Sequence, residues 1–296
     1  MSHCVLIGGG SGLIGTRLTE ILLQKGHQVR HLGRKAKDHE ATGVKTFEWD
    51  IHRQTIDKRA FEGVDVVINL AGANISGHRW TKAYKQEMLV SRTGSTQLIV
   101  NSIKDRNDIQ FISGSAIGYY GFGNDTEWSI ETDPAGNDFM AQVTAEWEKI
   151  ANQVKNLAII RTGIVISEHG GAVEEMAKPI KLYVGSPLGS GKQIVSWVHL
   201  EDECGIIMHV IENRLSGIFN ATAPEPASNE KITKEIAKNL RKPLWAPNVP
   251  GFVLKVVLGE MSEVVLNGSK ISSSKIQSTG YQFQYPTIES ALHTVY

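Results

Sequence analysis

Between Ile7 and the apolar-periodic stretch that begins near Leu18 lies Gly8-Gly9-Gly10-Ser11-Gly12-Leu13-Ile14-Gly15. Gly9, Gly12 and Gly15 recur every third position, after a β-rich run and at the opening of a helical one. That context lifts a glycine pattern above coincidence. Holding a pyrophosphate requires a tight turn, a backbone that comes close, and the free N–H groups of a helix N-terminus. Glycine supplies the first two, and Gly15 lets the helix pack closely on its strand. The run reads as a dinucleotide turn contacted through Gly9, Ser11, Gly12, Leu13, Ile14 and Gly15. A plain strand–helix turn without a ligand is the alternative.

The end of the second strand distinguishes the two nicotinamide dinucleotides. A carboxylate there would hold a ribose 2′-hydroxyl. Here His31-Leu32-Gly33-Arg34-Lys35 offers none before Asp38. Arg34 and Lys35 instead suit a 2′-phosphate, which a guanidinium fork pairs with well. The expectation is NADP(H), with a solvated basic turn as the competing account. Further along, Asp50 and Ile51 follow the third strand and are placed for the adenine. Leu70, Ala71 and Gly72 follow the fourth strand and would line the same groove.

These residues need a frame that brings strand ends together. Apolar β-rich runs alternate with helical patterns, which calls for a parallel sheet with crossover helices. Strands are expected at 4–7, 29–32, 44–49, 64–70, 109–113, 157–161 and 217–221. Between them come helices near 14–25, 80–103, 139–154 and 202–213. Ser228 caps a further helix whose Ile232, Ile236, Ala237 and Leu240 face inward. The expected fold class is α/β, a doubly wound parallel-sheet Rossmann fold at 1–225. A loop-rich, substrate-facing excursion falls near 165–198, and a smaller α+β substrate-side domain at 226–296.

Composition narrows the function classes. The 296 residues hold 31 basic and 31 acidic side chains, so the chain lacks the basic footprint of a nucleic-acid binder. Two cysteines, Cys4 and Cys204, frame neither a disulfide scaffold nor a four-ligand zinc site, and no metal site is expected. No apolar run approaches the roughly 18–20 residues that span a bilayer. Residues 1–10 run straight into a strand with no leader pattern. The expectation is a soluble, cytoplasmic protein with no membrane or nucleic-acid partner.

Taken together, the glycine turn, Asn69-Leu70-Ala71-Gly72 and Ser113-Gly114-Ser115-Ala116-Ile117-Gly118-Tyr119-Tyr120-Gly121 resemble the extended short-chain dehydrogenase/reductase superfamily. The closer resemblance is to its atypical YfcH-like branch, described as nucleoside-diphosphate-sugar epimerases. It is carried by Arg79-Trp80-Thr81, Lys85, Ser91-Arg92, the 189–193 and 196–202 segments, and a tail with Asn220 to Pro224, Gly259-Glu260, Gly280-Tyr281 and Tyr285-Pro286. It covers nearly the whole chain and implies bound NADP(H), but fixes no reaction.

Within that superfamily a Ser holds the substrate oxygen, and a Tyr-x-x-x-Lys pair on the next helix moves the proton. Ser115 matches the Ser. Phe139 stands in the Tyr place and Val143 in the Lys place, and neither can move a proton. Tyr119 or Tyr120 could face the same pocket, and Lys85 could reach it, though a packing role for the rings and a solvated lysine compete. Trp80, Gln193 and Trp197 are the candidate substrate contacts, with core packing an equal account of the two tryptophans.

Two functions of different class follow. One is an NADP(H)-dependent oxidoreductase or nucleotide-sugar epimerase-like enzyme acting on a carbonyl or hydroxyl of a small substrate, a nucleotide-linked sugar among the candidates. The other is a non-catalytic NADP(H)-binding sensor or regulatory protein, which the missing Tyr–Lys pair favours. The long helices near 80–103 and 137–154 are the surfaces on which a homodimer would form.

Overall fold

The computed structural model describes residues 2–39 and 42–296; Met1, Glu40 and Ala41 lie outside them. Its strands are β1 Cys4–Gly8, β2 Gln28–Gly33, β3 Lys37–His39, β4 Val44–Asp50, β5 Thr55–Ile56, β6 Val66–Asn69, β7 Gln110–Ala116, β8 Asn124–Ser129, β9 Leu157–Thr162, β10 Ile164–Ile166, β11 Ile194–Val195, β12 Trp197–His199, β13 Gly217–Ala221, β14 Ala227–Ser228 and β15 Ser269–Ile271. The helices are α1 Leu13–Gln24, α2 Lys82–Ile103, α3 Phe139–Ala151, α4 Ala172–Lys181, α5 Leu200–Glu212, α6 Asn229–Asn239, α7 Gly251–Leu258, α8 Ser262–Leu266, α9 Ser274–Ser278 and α10 Ile288–Leu292.

The main sheet runs β13-β9-β7-β6-β1-β2-β4-β3, and all neighbours are parallel except the antiparallel β3. From β1 the chain builds outward through β2 and β4, then returns to the other side through β6, β7, β9 and β13. The order reverses between β1 and β6, and a crevice opens outside the carboxyl ends of the strands at such a point. This is a Rossmann fold. The short β3 and β5 were not expected from the sequence; both are antiparallel additions to β4.

Each face of the sheet is apolar because parallel strands are covered on both sides. Val5, Ile7, Leu18, Leu22, Ile206, Ile207 and Val210 fill the layer under α1 and α5. Leu6, Phe47, Ile99, Val100, Phe111 and Ile159 fill the opposite layer under α2. Helix ends are fixed by side chains the sequence supplies. Thr81 accepts from the Tyr84 amide at the start of α2, Asp138 from Ala141 at α3, and Ser228 from Lys231 at α6.

The chain after residue 226 is tied to earlier segments by strand pairs. Ala227 and Ser228 pair with Val195 and Ile194, and β15 runs parallel to β8. Asp202 on α5 adds a clamp, accepting from the amides of Gln284 and Tyr285 at 2.8 and 2.9 Å and from the Tyr281 hydroxyl at 2.9 Å. The 165–198 segment, expected as a loop-rich excursion, lies outside helices and strands over 182–193 but is not irregular throughout. It contains α4, and with α6 and α10 it builds an apolar cluster of Ile166, Val173, Trp197, Ile232, Ile236 and Ile288.

Candidate active site

At the end of β1 the glycine turn meets the turn after β6. A Cβ on Gly9 would lie 2.7 Å from the Leu70 carbonyl carbon and 2.8 Å from the Ala71 nitrogen, and Gly9 has φ of 82°. A Cβ on Gly15 would lie 2.3 Å from the Gly9 oxygen. Neither site has room for a side chain. Gly12 differs: its nearest neighbour would be the Gly9 oxygen at 3.3 Å, and its backbone is extended, with φ −81°. Gly12 is exposed at the N-cap of α1, with Ser11 exposed beside it and Leu13 and Ile14 opening the helix. Space kept clear before a helix N-terminus is what a pyrophosphate requires, so the turn fits the group.

The other nucleotide candidates surround this turn. Arg34 and Lys35 are exposed just past β2. Gly10 packs on the His31 ring of that strand, where a Cβ would come within 2.6 Å. Asp50 closes a turn after β4, accepting from the His52 and Arg53 amides at 2.9 and 3.0 Å, and those amides hold its carboxyl below the usual range. Ile51 rests against Gly94 of α2. Ala71 donates to Asn69 Oδ1, whose amide in turn donates to Ser95 and Thr96. Gly72 lies over the Arg92 guanidinium, which donates to the Met88 and Ala73 carbonyls; burial pulls its pKa below the usual value.

Near the end of β7, Ser115 is buried and donates a hydrogen bond to Glu148 Oε1 at 2.5 Å. Arg161 binds the same carboxylate through Nε and Nη2, both at 2.8 Å. Arg161 Nη1 also donates to the Tyr120 hydroxyl at 2.9 Å, and Tyr120 donates onward to Asn220 Oδ1 at 2.7 Å. Burial pushes the Tyr120 phenol up to about 12, against the lowering effect of Arg161. Tyr119 stacks on the Arg161 guanidinium, 3.5 Å from ring centroid to Cζ. Ser115, Tyr119 and Tyr120 therefore surround a buried ion pair.

Lys85 stands elsewhere. Its ammonium lies 4.6 Å from the centroid of the Phe139 ring and forms an ion pair with Glu260. Phe139 meets Trp80 edge-on, with centroids 5.6 Å apart. These residues, with Phe122, Asp138, Met140, Glu263 and Asn267, wall a cavity of about 480 Å³. None of its walls comes from 165–198, where substrate-facing structure was expected.

Two of the expected substrate contacts take a different place. Trp197 is wholly buried in the α4–α6 cluster and donates to the Glu225 carbonyl at 3.0 Å. Gln193 is buried and donates to the Leu188 and Val265 carbonyls, joining its own loop to α8. Trp80 does line the cavity. Sequence reasoning missed Glu148, Arg161 and Glu263, and singled out Glu260 only as part of the resemblance. The first two carry a signal: a charge beside an apolar stripe or inside the run Leu157–Thr162 must be paired if buried.

Comparison with known proteins places this geometry. Residues 5–221 match the model of the NAD dependent epimerase/dehydratase family. The chain belongs to that family. Residues 249–295 match a domain of unknown function, DUF1731. Among curated relatives, a chloroplastic epimerase family protein, the SDR39U1 homolog of Arabidopsis thaliana, is 34% identical over 98% of this chain and 86% of its own. An epimerase family protein of Staphylococcus aureus (strain N315) is 35% identical over 97% of both chains. Among solved structures, human epimerase family protein SDR39U1 (isoform 2) with NADPH superposes with a TM-score of 0.87, at 30% identity over 99% and 98% of the two chains. A nucleoside-diphosphate sugar epimerase from Corynebacterium glutamicum gives 0.77 at 26% identity, covering 100% of this chain and 58% of that one. Of the two residues that the sequence resemblance sets in the Tyr and Lys places, Phe139 borders the cavity and Val143 is buried in α3.

Proposed function

We propose that this protein is an NADP(H)-dependent oxidoreductase that interconverts a carbonyl and a hydroxyl on a small substrate, with Lys85 as the proton donor. The observation carrying this reading is the Lys85 ammonium over the Phe139 ring, inside the cavity that Phe139 borders. Phe139 has no proton to give, and the Lys85 ammonium 4.6 Å from its ring centroid does.

NADP(H) is the coenzyme supported by the exposed Arg34 and Lys35, the open Gly12 turn and the NADPH carried by the human relative. When bound, it supplies or accepts a hydride at the substrate carbon. Lys85 Nζ gives the matching proton to the carbonyl oxygen. Glu260, which is well exposed, returns a proton from solvent to Lys85. The Phe139 and Trp80 rings keep water from the reacting face. An epimerisation would use the same two transfers in both directions at one carbon.

The test is Lys85→Met beside Lys85→Arg, followed by NADPH absorbance against aldehydes and ketones. Losing a positioned acid costs about 10²–10⁴ in rate. Lys85→Met should lose that much in kcat while binding NADPH within about twofold of the parent, and Lys85→Arg should recover little because guanidinium holds its proton. Parental turnover in Lys85→Met would end the proposal. The engaged Ser115 proton supports a second reading, a non-catalytic sensor. Tight NADPH binding with no turnover on any carbonyl favours it.

A further inference from the structure

Three aromatic rings, Trp80, Phe122 and Phe139, and three carboxylates, Asp138, Glu260 and Glu263, stand in the wall of the cavity. Lys85 is the one cation among the described lining residues, and Glu260 already pairs with it. The lining therefore keeps two net negative charges at neutral pH. Arg79 lies close by, but its guanidinium is held on the Val256 carbonyl at 3.2 Å, and counting it still leaves the mouth negative.

Proteins hold a diphosphate with arginine or lysine forks, or with the free amides of a helix N-terminus. Both devices are present at this cavity, and a carboxylate of the chain itself already lies on each. Glu260 occupies Lys85. Asp138 occupies the N-terminus of α3, accepting from Ala141 at 3.0 Å with one oxygen and from Phe122 at 3.1 Å with the other. Glu263 is turned toward Asn267, which donates to it at 2.7 Å, so its charge is hydrogen-bonded without being neutralised.

We infer that the cavity takes an uncharged or cationic substrate with an aromatic or alicyclic body, and that it rejects nucleoside diphosphates and other anions. The Trp80, Phe122 and Phe139 rings give an apolar body something to pack on, and the unneutralised carboxylates among them favour a cation over an anion. The inference rests on the proposed reaction only in locating the substrate at this cavity.

Binding rather than turnover tests it. Protein loaded with NADP⁺ is titrated, by saturation-transfer NMR, with benzyl alcohol, its para-carboxylate, its para-trimethylammonium derivative and UDP-glucose. The neutral and cationic alcohols should bind, with the carboxylate roughly three- to tenfold weaker than the cation at low salt and the gap shrinking as salt rises. UDP-glucose should not compete. Glu263→Gln should narrow the gap and Glu263→Lys should reverse it. Equal or tighter binding of the carboxylate or of UDP-glucose overturns the inference, and so does a failure of every probe to bind. A protein that ranks the probes as expected yet transfers no hydride overturns the proposed reaction and leaves the charge assignment standing.

Discussion

Ser115 donates to the Glu148 carboxylate across 2.5 Å inside the sheet–helix layer, and Arg161 grips the same carboxylate with two nitrogens. The serine that resembles the family's substrate-polarising residue thus gives its only hydrogen to a neighbouring side chain. Its hydroxyl is a third donor to the carboxylate of a buried ion pair whose two side chains are 1% and 5% exposed. Such a pair tolerates loss of a peripheral bond far better than loss of a charge.

Ser115→Ala should accordingly behave as a stability variant. A hydrogen bond to a charged group is worth about 1.5–3 kcal/mol. Glu148→Ala strands Arg161 and should cost about 3–5 kcal/mol. Urea denaturation should rank them in that order, with NADPH affinity of the folded Ser115→Ala protein unchanged. A Ser115→Ala protein with parental stability and at least a hundredfold lower turnover would return the serine to the substrate.

The glycine turn separates a binding role from a packing role. A side chain at Gly12 meets only the Gly9 oxygen at 3.3 Å, whereas one at Gly15 meets it at 2.3 Å. Gly12→Val should fold and lose nucleotide binding, because the branched group fills the phosphate space. Gly15→Val should lose the fold itself. Calorimetric titration and thermal melts on both proteins distinguish the cases, and a folded Gly12→Val protein with full affinity would contradict the assignment.

Coenzyme choice rests on Arg34. Removing a charge-assisted bond to a 2′-phosphate costs about 1.5–3 kcal/mol. Arg34→Ala should therefore weaken NADPH on the order of tenfold to a hundredfold and leave NADH almost untouched. Equal losses for both coenzymes would make Arg34 a solvated turn residue.

What the sequence disclosed follows from how local each signal is. The strand–glycine–helix run was readable because turn, strand and helix occupy about twenty consecutive residues, a span over which hydrophobic periodicity is informative. The strand Gly217–Ala221 was readable for the same reason. Phe139 and Val143 were legible as side chains that move no proton, but the lysine that lies over the Phe139 ring was not. The cavity joins Lys85 to Glu260 across 175 residues of chain, and no periodicity carries that pairing. Trp197 was ambiguous because a tryptophan in a short apolar run fits a pocket wall or a core equally well. The neighbours that settle it, Ile232, Ile236 and Ile288, come from later helices.

Glu203 carries a pH signature that separates its burial from the chemistry at Lys85. It is wholly buried on α5; Thr162 donates to its Oε1 at 2.8 Å, and Oε2 has no partner among the described residues. Burial raises its carboxyl from 4.5 to about 8, only partly opposed by the Thr162 bond. The folded protein therefore holds a proton that the unfolded chain releases above its lower pKa. Stability from this group is fully present below about pH 4.5, falls as pH rises, and levels off above about pH 8. At about 1.4 kcal/mol per unit, the whole span amounts to roughly 4–5 kcal/mol. Glu203→Gln cannot ionise, so its stability should be nearly flat across the same window. Urea midpoints at about pH 5, 6.5 and 8 should show the parent losing ground with each step, and the variant overtaking it by the last. Parallel curves for the two proteins would mean that Glu203 is ionised in the folded state, with a solvent path to Oε2.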